Sequence, residues 1–184
     1  MPTPLRHALK RALEPDGQSW RAGGRPVVVL GVGSELRSDD AAGVRVAAEL
    51  ARTPLTGVHA IDGGSAPENC TAEIRQLDPA HLIIVDSAHM QESPGTIRLI
   101  QSADISGASF GTHSLPLSVL ADYIQGEIGC RVSVIGIQPG SIEFGERMSP
   151  EVSAAVQETA SALRECLAPP LPPAADRAPG AEPT

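Results

Sequence analysis

Three short runs of this chain each set a potential metal ligand where an apolar stretch gives way to a loop. They are Gly31-Val32-Gly33-Ser34 leading to Asp39 and Asp40, Ile83-Ile84-Val85-Asp86, and Gly111-Thr112-His113-Ser114-Leu115-Pro116. Ligands far apart in sequence converge on one point of an α/β protein when they sit at equivalent ends of parallel strands. Asp40, Asp86 and His113 together suit a divalent cation of intermediate hardness and leave coordination positions open. Asp39 is expected to cap the helix that follows, a role in which an Asp stabilises by about 1 kcal/mol. Asp40, directly after it, turns to a different face and is available for a ligand. Each residue also has a plain reading. Asp86 could accept backbone N–H bonds in the next turn, and a lone His113 could be structural. Their shared placement is what groups them.

Gly31-Val32-Gly33 after an apolar strand also resembles the start of a dinucleotide-binding turn, with Asp62 near where a ribose-binding acid would stand. The third glycine position of that pattern is Leu36, however. Asp39 and Asp40 would also place two negative charges at the helix N-terminus that should receive a pyrophosphate. A nucleotide-binding α/β module therefore stands as one alternative, and a conventional metallohydrolase holding its own zinc or manganese as another. In the run from Asp62 to Asn69, Gly63-Gly64 would let another chain approach the backbone closely, or simply make a β-to-α turn. Gln138-Pro139-Gly140 reads as a rigid loop at the same sheet edge. Cys70 has no basic group or histidine beside it in sequence and reads as a packing residue. Nothing in the chain matches G-x-S-x-G, a Walker loop or H-E-x-x-H.

The elements that must position these residues alternate. Apolar runs over 27–32, 58–61, 81–85, 96–100 and 131–137 read as strands. Helical patterns over about 39–51, 67–77, 115–128 and 149–166 lie between and after them. That alternation implies right-handed βαβ crossovers and a single-domain α/β fold, a mostly parallel twisted sheet with helices on both faces. Residues 1–25 carry a helical stripe (Leu5, Leu9, Leu13) ended by Pro15-Asp16-Gly17 and are expected to extend outside the core. Residues 26–166 form the domain. Residues 167–184 contain six prolines and are expected to be a disordered tail.

With 184 residues the chain holds one buried core and little more. That core is aliphatic, since there are only one Trp, one Tyr and two Phe, which suits a parallel sheet covered by helices. A net charge of −8 without a Lys/Arg stripe argues against nucleic acid as a partner. No run approaches the ~20 apolar residues of a membrane span. The N-terminus lacks a signal peptide's apolar stretch. Cys70, Cys130 and Cys166 are unclustered, which fits free thiols in a reducing cytoplasm.

Over about residues 26–165 the chain resembles the hydrogenase maturation endopeptidases. The carrying motifs are Gly31-Val32-Gly33-Ser34 with the acid pair Asp39-Asp40, the strand end Ile84-Val85-Asp86, and Thr112-His113. The run from Asp62 to Asn69 and the later Gly136-Ile137-Gln138-Pro139 look most like the branch serving formate-hydrogenlyase-type hydrogenases. Ser34 stands where the family usually has Asn, and Ala41 where this branch usually has Gly. The resemblance implies an aspartic-type endopeptidase that removes the C-terminal extension of a [NiFe]-hydrogenase large-subunit precursor. Its three metal-contacting positions fall on Asp40, Asp86 and His113, and the ion is nickel supplied by the precursor.

Overall fold

The computed structural model describes residues 4–14, 20–101, 109–110, 116–145 and 147–169. Strand β1 (Val27–Val32) is buried at every position, so it carries β-branched residues on both faces and no alternation. It pairs in parallel with β2 (Val58–Gly64) on one side and β3 (His81–His89) on the other. Beyond β3 lie β6 (Arg131–Ile137), parallel, and β4 (Ile97–Gln101), antiparallel, giving the order β2-β1-β3-β6-β4. The two-residue β5 (Ser109–Phe110) pairs antiparallel with the end of β3, off this path. The expected α/β fold with a mostly parallel sheet is thus the observed one.

Alternate residues of the strands feed two separate cores. Val27, Val29, Ile83, Val85, Ile135 and Ile137 pack with helices α1 (Pro4–Leu13), α2 (Ala42–Arg52) and α5 (Pro150–Leu167). Val28, Leu30, Leu82, Ile84, Val132 and Val134 pack with α3 (Thr71–Leu77) and α4 (Leu117–Ile128) on the other face. Helix α2 lies unusually close to the sheet because two glycines face each other. A Cβ on Gly31 would collide with the carbonyl of Gly43, and one on Gly43 with the carbonyls of Val85 and Val32. This contact fixes the start of α2 directly over the junction of β1 and β3.

Two expectations need correction. The N-terminal stripe does not lie outside the core: Leu5, Leu9 and Leu13 are buried in the first core, together with Trp20. The last carbonyls of α1 are gathered by Arg131, whose guanidinium donates to Ala12 O and Leu13 O, both at 3.3 Å. A helix whose apolar face is spaced four residues apart must cover that face, and the open side of α5 and the sheet receives it. At the other end, α5 runs one residue into the expected tail, and Leu167 is fully buried. The remainder of that tail, 170–184, lies outside the described residues. Among the described residues no helix is long and apolar enough to cross a membrane.

Candidate active site

The chain passes from β1 outward to β2 on one side and then returns to β3 on the other. The carboxyl ends of β1 and β3 therefore flank the topological switch point, where open α/β sheets form a crevice. Pairing between these strands ends at Gly31 with Val85. From Asp86 onward β3 keeps β6 on one side, while β1 has turned away on the other. Into that notch folds a one-turn 3-10 helix, Ser38–Ala41, that carries both acids of the first motif.

Gly33 makes the turn possible. Its φ of +135° is open to glycine, and a Cβ there would run into the carbonyl of Asp40. The G-x-G spacing thus serves strand–helix packing and the folding-back of the acid turn, and two buried carboxylates occupy the place a pyrophosphate would need. Ser38, at φ +44°, enters the turn in the left-handed region, a strained conformation for a residue with a Cβ. Its hydroxyl is fixed by donation to Arg147 O at 2.9 Å.

Asp40 and Asp86 are both fully buried. Asp40 Oδ2 accepts the Ser34 backbone N–H at 2.9 Å, and its Oδ1 accepts the Ser87 hydroxyl at 3.0 Å. Asp86 Oδ1 accepts the Ser87 backbone N–H at 2.8 Å. Ser87 therefore joins the two acids, its main chain on one and its hydroxyl on the other. Sequence reasoning missed this residue. The available signal was a polar side chain directly after Asp86 in an otherwise apolar run. Ser34, read as a short replacement for Asn, reaches Asp40 through its backbone, so the side-chain difference does not alter this contact.

Asp39 is not the cap of the helix that follows it. Its buried carboxylate accepts Gly140 N–H at 2.8 Å, Ser141 N–H at 3.1 Å, and both the N–H (2.6 Å) and hydroxyl (2.9 Å) of Ser149. Ser149 is in turn the N-cap of α5. The negative charge thus serves a different helix N-terminus and ties the loop after β6 against the acid turn. Gln138 performs a similar service for the other neighbouring loop, its Oε1 accepting the N–H of Met90 at 2.7 Å.

His113 lies outside the described residues. On either side of it, Phe110 pairs with Ala88, two residues past Asp86, and Pro116 is the N-cap residue of α4. Among the described residues no group of three or more His, Cys, Asp or Glu side chains is placed to hold a metal ion. Asp62 is exposed, and its carboxylate accepts the Gly64 N–H at 2.9 Å, closing the turn of its own run. The Cys70 thiol is pushed up by burial and by the nearby Glu73, Asp62 and Glu68, which keeps it protonated.

Comparison with known proteins places this geometry. The family model described as hydrogenase maturation protease matches residues 44–165, a stretch that includes Asp86 and His113 and begins just after Asp40. Hydrogenase 3 maturation protease of Escherichia coli K12 is 40% identical over 131 residues, covering 71% of this chain and 83% of its own. The crystal structure of the [NiFe] hydrogenase maturation protease HycI from Thermococcus kodakarensis KOD1 superposes with a TM-score of 0.71 at 30% identity, covering 77% of this chain and 92% of that one. The solution structure of the endopeptidase HycI from Escherichia coli gives 0.67 at 38% identity, over 74% and 87%. The resemblance carried by the acid pair, the Val-Asp strand and the Thr-His motif is borne out, and the chain belongs to the hydrogenase maturation protease family.

Proposed function

We propose that this protein is a cytoplasmic endopeptidase that removes the C-terminal extension of a [NiFe]-hydrogenase large-subunit precursor once nickel has been inserted. The observation that carries the reading is the pair of fully buried carboxylates, Asp40 and Asp86, held at the switch point by one serine. Burying two acids is costly unless each is hydrogen-bonded and put to use. Each oxygen of Asp40 accepts one of these hydrogen bonds, which leaves a second lone pair on each for an ion or a water.

The donor set fits nickel brought by the substrate. Two carboxylates and the imidazole of His113 are hard to borderline ligands, and none of them is a thiolate. The softer ligands must then come from the precursor, so recognition requires both partners. When bound, the ion supplies Lewis-acid polarisation of the scissile carbonyl. The protein's own share is to orient Asp40 through Ser34 and Ser87, to orient Asp86 through the Ser87 N–H, and to provide a carboxylate that takes a proton from water. The aspartic-type assignment rests on that last role.

Incubation with nickel-loaded and nickel-free precursor, followed by gel mobility and mass spectrometry of the C-terminus, tests the reading. Cleavage of the nickel-loaded form alone is expected, with loss in the Asp86→Asn and His113→Ala proteins. Efficient cutting of nickel-free precursor, or normal processing by His113→Ala, would contradict it.

A further inference from the structure

Four large hydrophobic side chains stand exposed among the described residues: Leu36, Val119, Tyr123 and Phe144. Val119 and Tyr123 lie on α4, where the Tyr123 hydroxyl is engaged by Arg75. Leu36 and Phe144 are the most exposed, at 63% and 70%. They occupy the two loops that wall the acid turn. Leu36 lies within the ring closed when the Ser34 N–H binds the Asp40 carboxylate. Phe144 lies on the loop that Asp39 ties down through Gly140 and Ser141. The loops are joined beside these two residues, because the Gly145 N–H donates to Leu36 O at 2.9 Å.

Loose loop tips expose apolar groups without consequence, but these loops are pinned. Asp39 and Ser38 each reach across from the acid turn to the loop after β6. Gly145, at φ +82°, makes the turn directly after Phe144. A rigid support that holds two large apolar groups in water marks a contact surface. Close to them in sequence are charged residues, namely Glu35, which pairs with Arg45 at 3.4 Å, and Arg37, Glu143 and Arg147. An apolar centre with a charged rim is the anatomy of a protein–protein contact.

We propose that Leu36 and Phe144 form a docking clamp for an apolar segment of the large-subunit precursor flanking its scissile bond. The inference rests on the endopeptidase reading, from which it takes the identity of the occupant. Three residues lie between Leu36 and Asp40, so their Cα atoms are within about 15 Å of each other. The surface is therefore continuous with the place where the substrate must present its cleavage site. The clamp acts on binding and register, while Asp40 and Asp86 act on the bond.

The test measures cleavage of nickel-loaded large-subunit precursor by the wild type, Leu36→Ser, Phe144→Ser, the double variant, and Val119→Ser as a control. The double variant is expected to raise KM at least about tenfold with kcat nearly unchanged. Leu36→Met and Phe144→Leu should restore KM, and Val119→Ser should leave it alone. Melting temperatures should stay within about 2 °C of wild type, since both side chains are exposed. An unchanged KM in the double variant overturns the clamp, as does an equal rise in Val119→Ser. A marked loss of melting temperature also overturns it, because the residues would then support the fold. If the wild type leaves nickel-loaded precursor uncut, the endopeptidase reading falls and the clamp falls with it.

Discussion

Adjacent in sequence, Asp39 and Asp40 have been given opposite work by the fold. Asp40 makes two hydrogen bonds and keeps lone pairs for the site, whereas Asp39 spends its carboxylate on four donor groups. Asp40→Asn is expected to abolish precursor cleavage with a melting temperature near wild type. Asp39→Asn turns an amide N–H toward groups that themselves donate, and it should lose about 2–4 kcal/mol of stability in urea titrations. Equal stability of the two variants would show that the staple is not structural. Ser87→Ala removes the hydroxyl from Asp40 while leaving the backbone N–H on Asp86. A fall in kcat of about tenfold with little change in KM is expected, equivalent to the loss of about 1.4 kcal/mol from one hydrogen bond. A change confined to KM would assign Ser87 to substrate binding instead. The placement of Asp40 and Asp86 at one edge of the sheet was legible in the sequence because it follows from strand ends, a local property. The role of Asp39 was not legible, since its partners lie 101–110 residues away. Local reasoning offered only the nearest helix to cap.

Helix α1 shows how an element can be read correctly and placed wrongly. Leu5, Leu9 and Leu13 announce a helix with one apolar face, and the helix forms. The Pro- and Gly-containing stretch after it suggested separation from the core, but a short connection is also what folding back onto α5 requires. The apolar stripe was the better guide, because an uncovered row of leucines has no stable place in water. Arg6 pairs with Glu165 of α5 at 2.7 Å, while Arg131 holds the carbonyl end of α1, so the helix is located at both ends. Leu9→Ala should therefore cost about 2–5 kcal/mol, as truncation in a closed core does. If the melting temperature of this variant matched wild type, α1 would be a loosely attached extension after all. The direction of β4 offers a second lesson. Residues 90–96 join β3 to β4, too few for the crossover a parallel neighbour needs. The chain must therefore turn at the site end of the sheet and run back, and loop length alone carried that information.

At the scale of the molecule, the candidate site and a set of buried or paired basic residues lie at opposite edges of one sheet. The carboxyl edge holds Asp40 and Asp86. The amino edge holds Arg131 under α1, the Arg25–Asp78 ion pair at 2.7 Å, and His81 buried at the start of β3. His81 Nε2 lies 2.9 Å from the Ser133 hydroxyl, and Nδ1 has no hydrogen-bond partner among the described residues. Burial, and then the charge of Arg131, push its pKa down from 6.5 to about 4. The unfolded chain therefore takes up this proton more readily than the folded one. Its effect on stability is negligible above about pH 6.5, grows as pH falls, and levels off below about pH 4. Between pH 7 and pH 5 this single group should remove about 2 kcal/mol. Carboxylates elsewhere begin to titrate in the same range, so the wild-type curve alone does not isolate it. His81→Gln keeps a hydrogen-bonding group beside Ser133 and cannot titrate. Urea unfolding of both proteins across this range should show the wild type losing about 2 kcal/mol more than the variant by pH 5. Parallel curves would mean that another group governs the acid limb. Because His81 stands at the edge away from the site, His81→Gln should cleave precursor at the wild-type rate at pH 7. Loss of cleavage there would show that the two edges of the sheet are not independent.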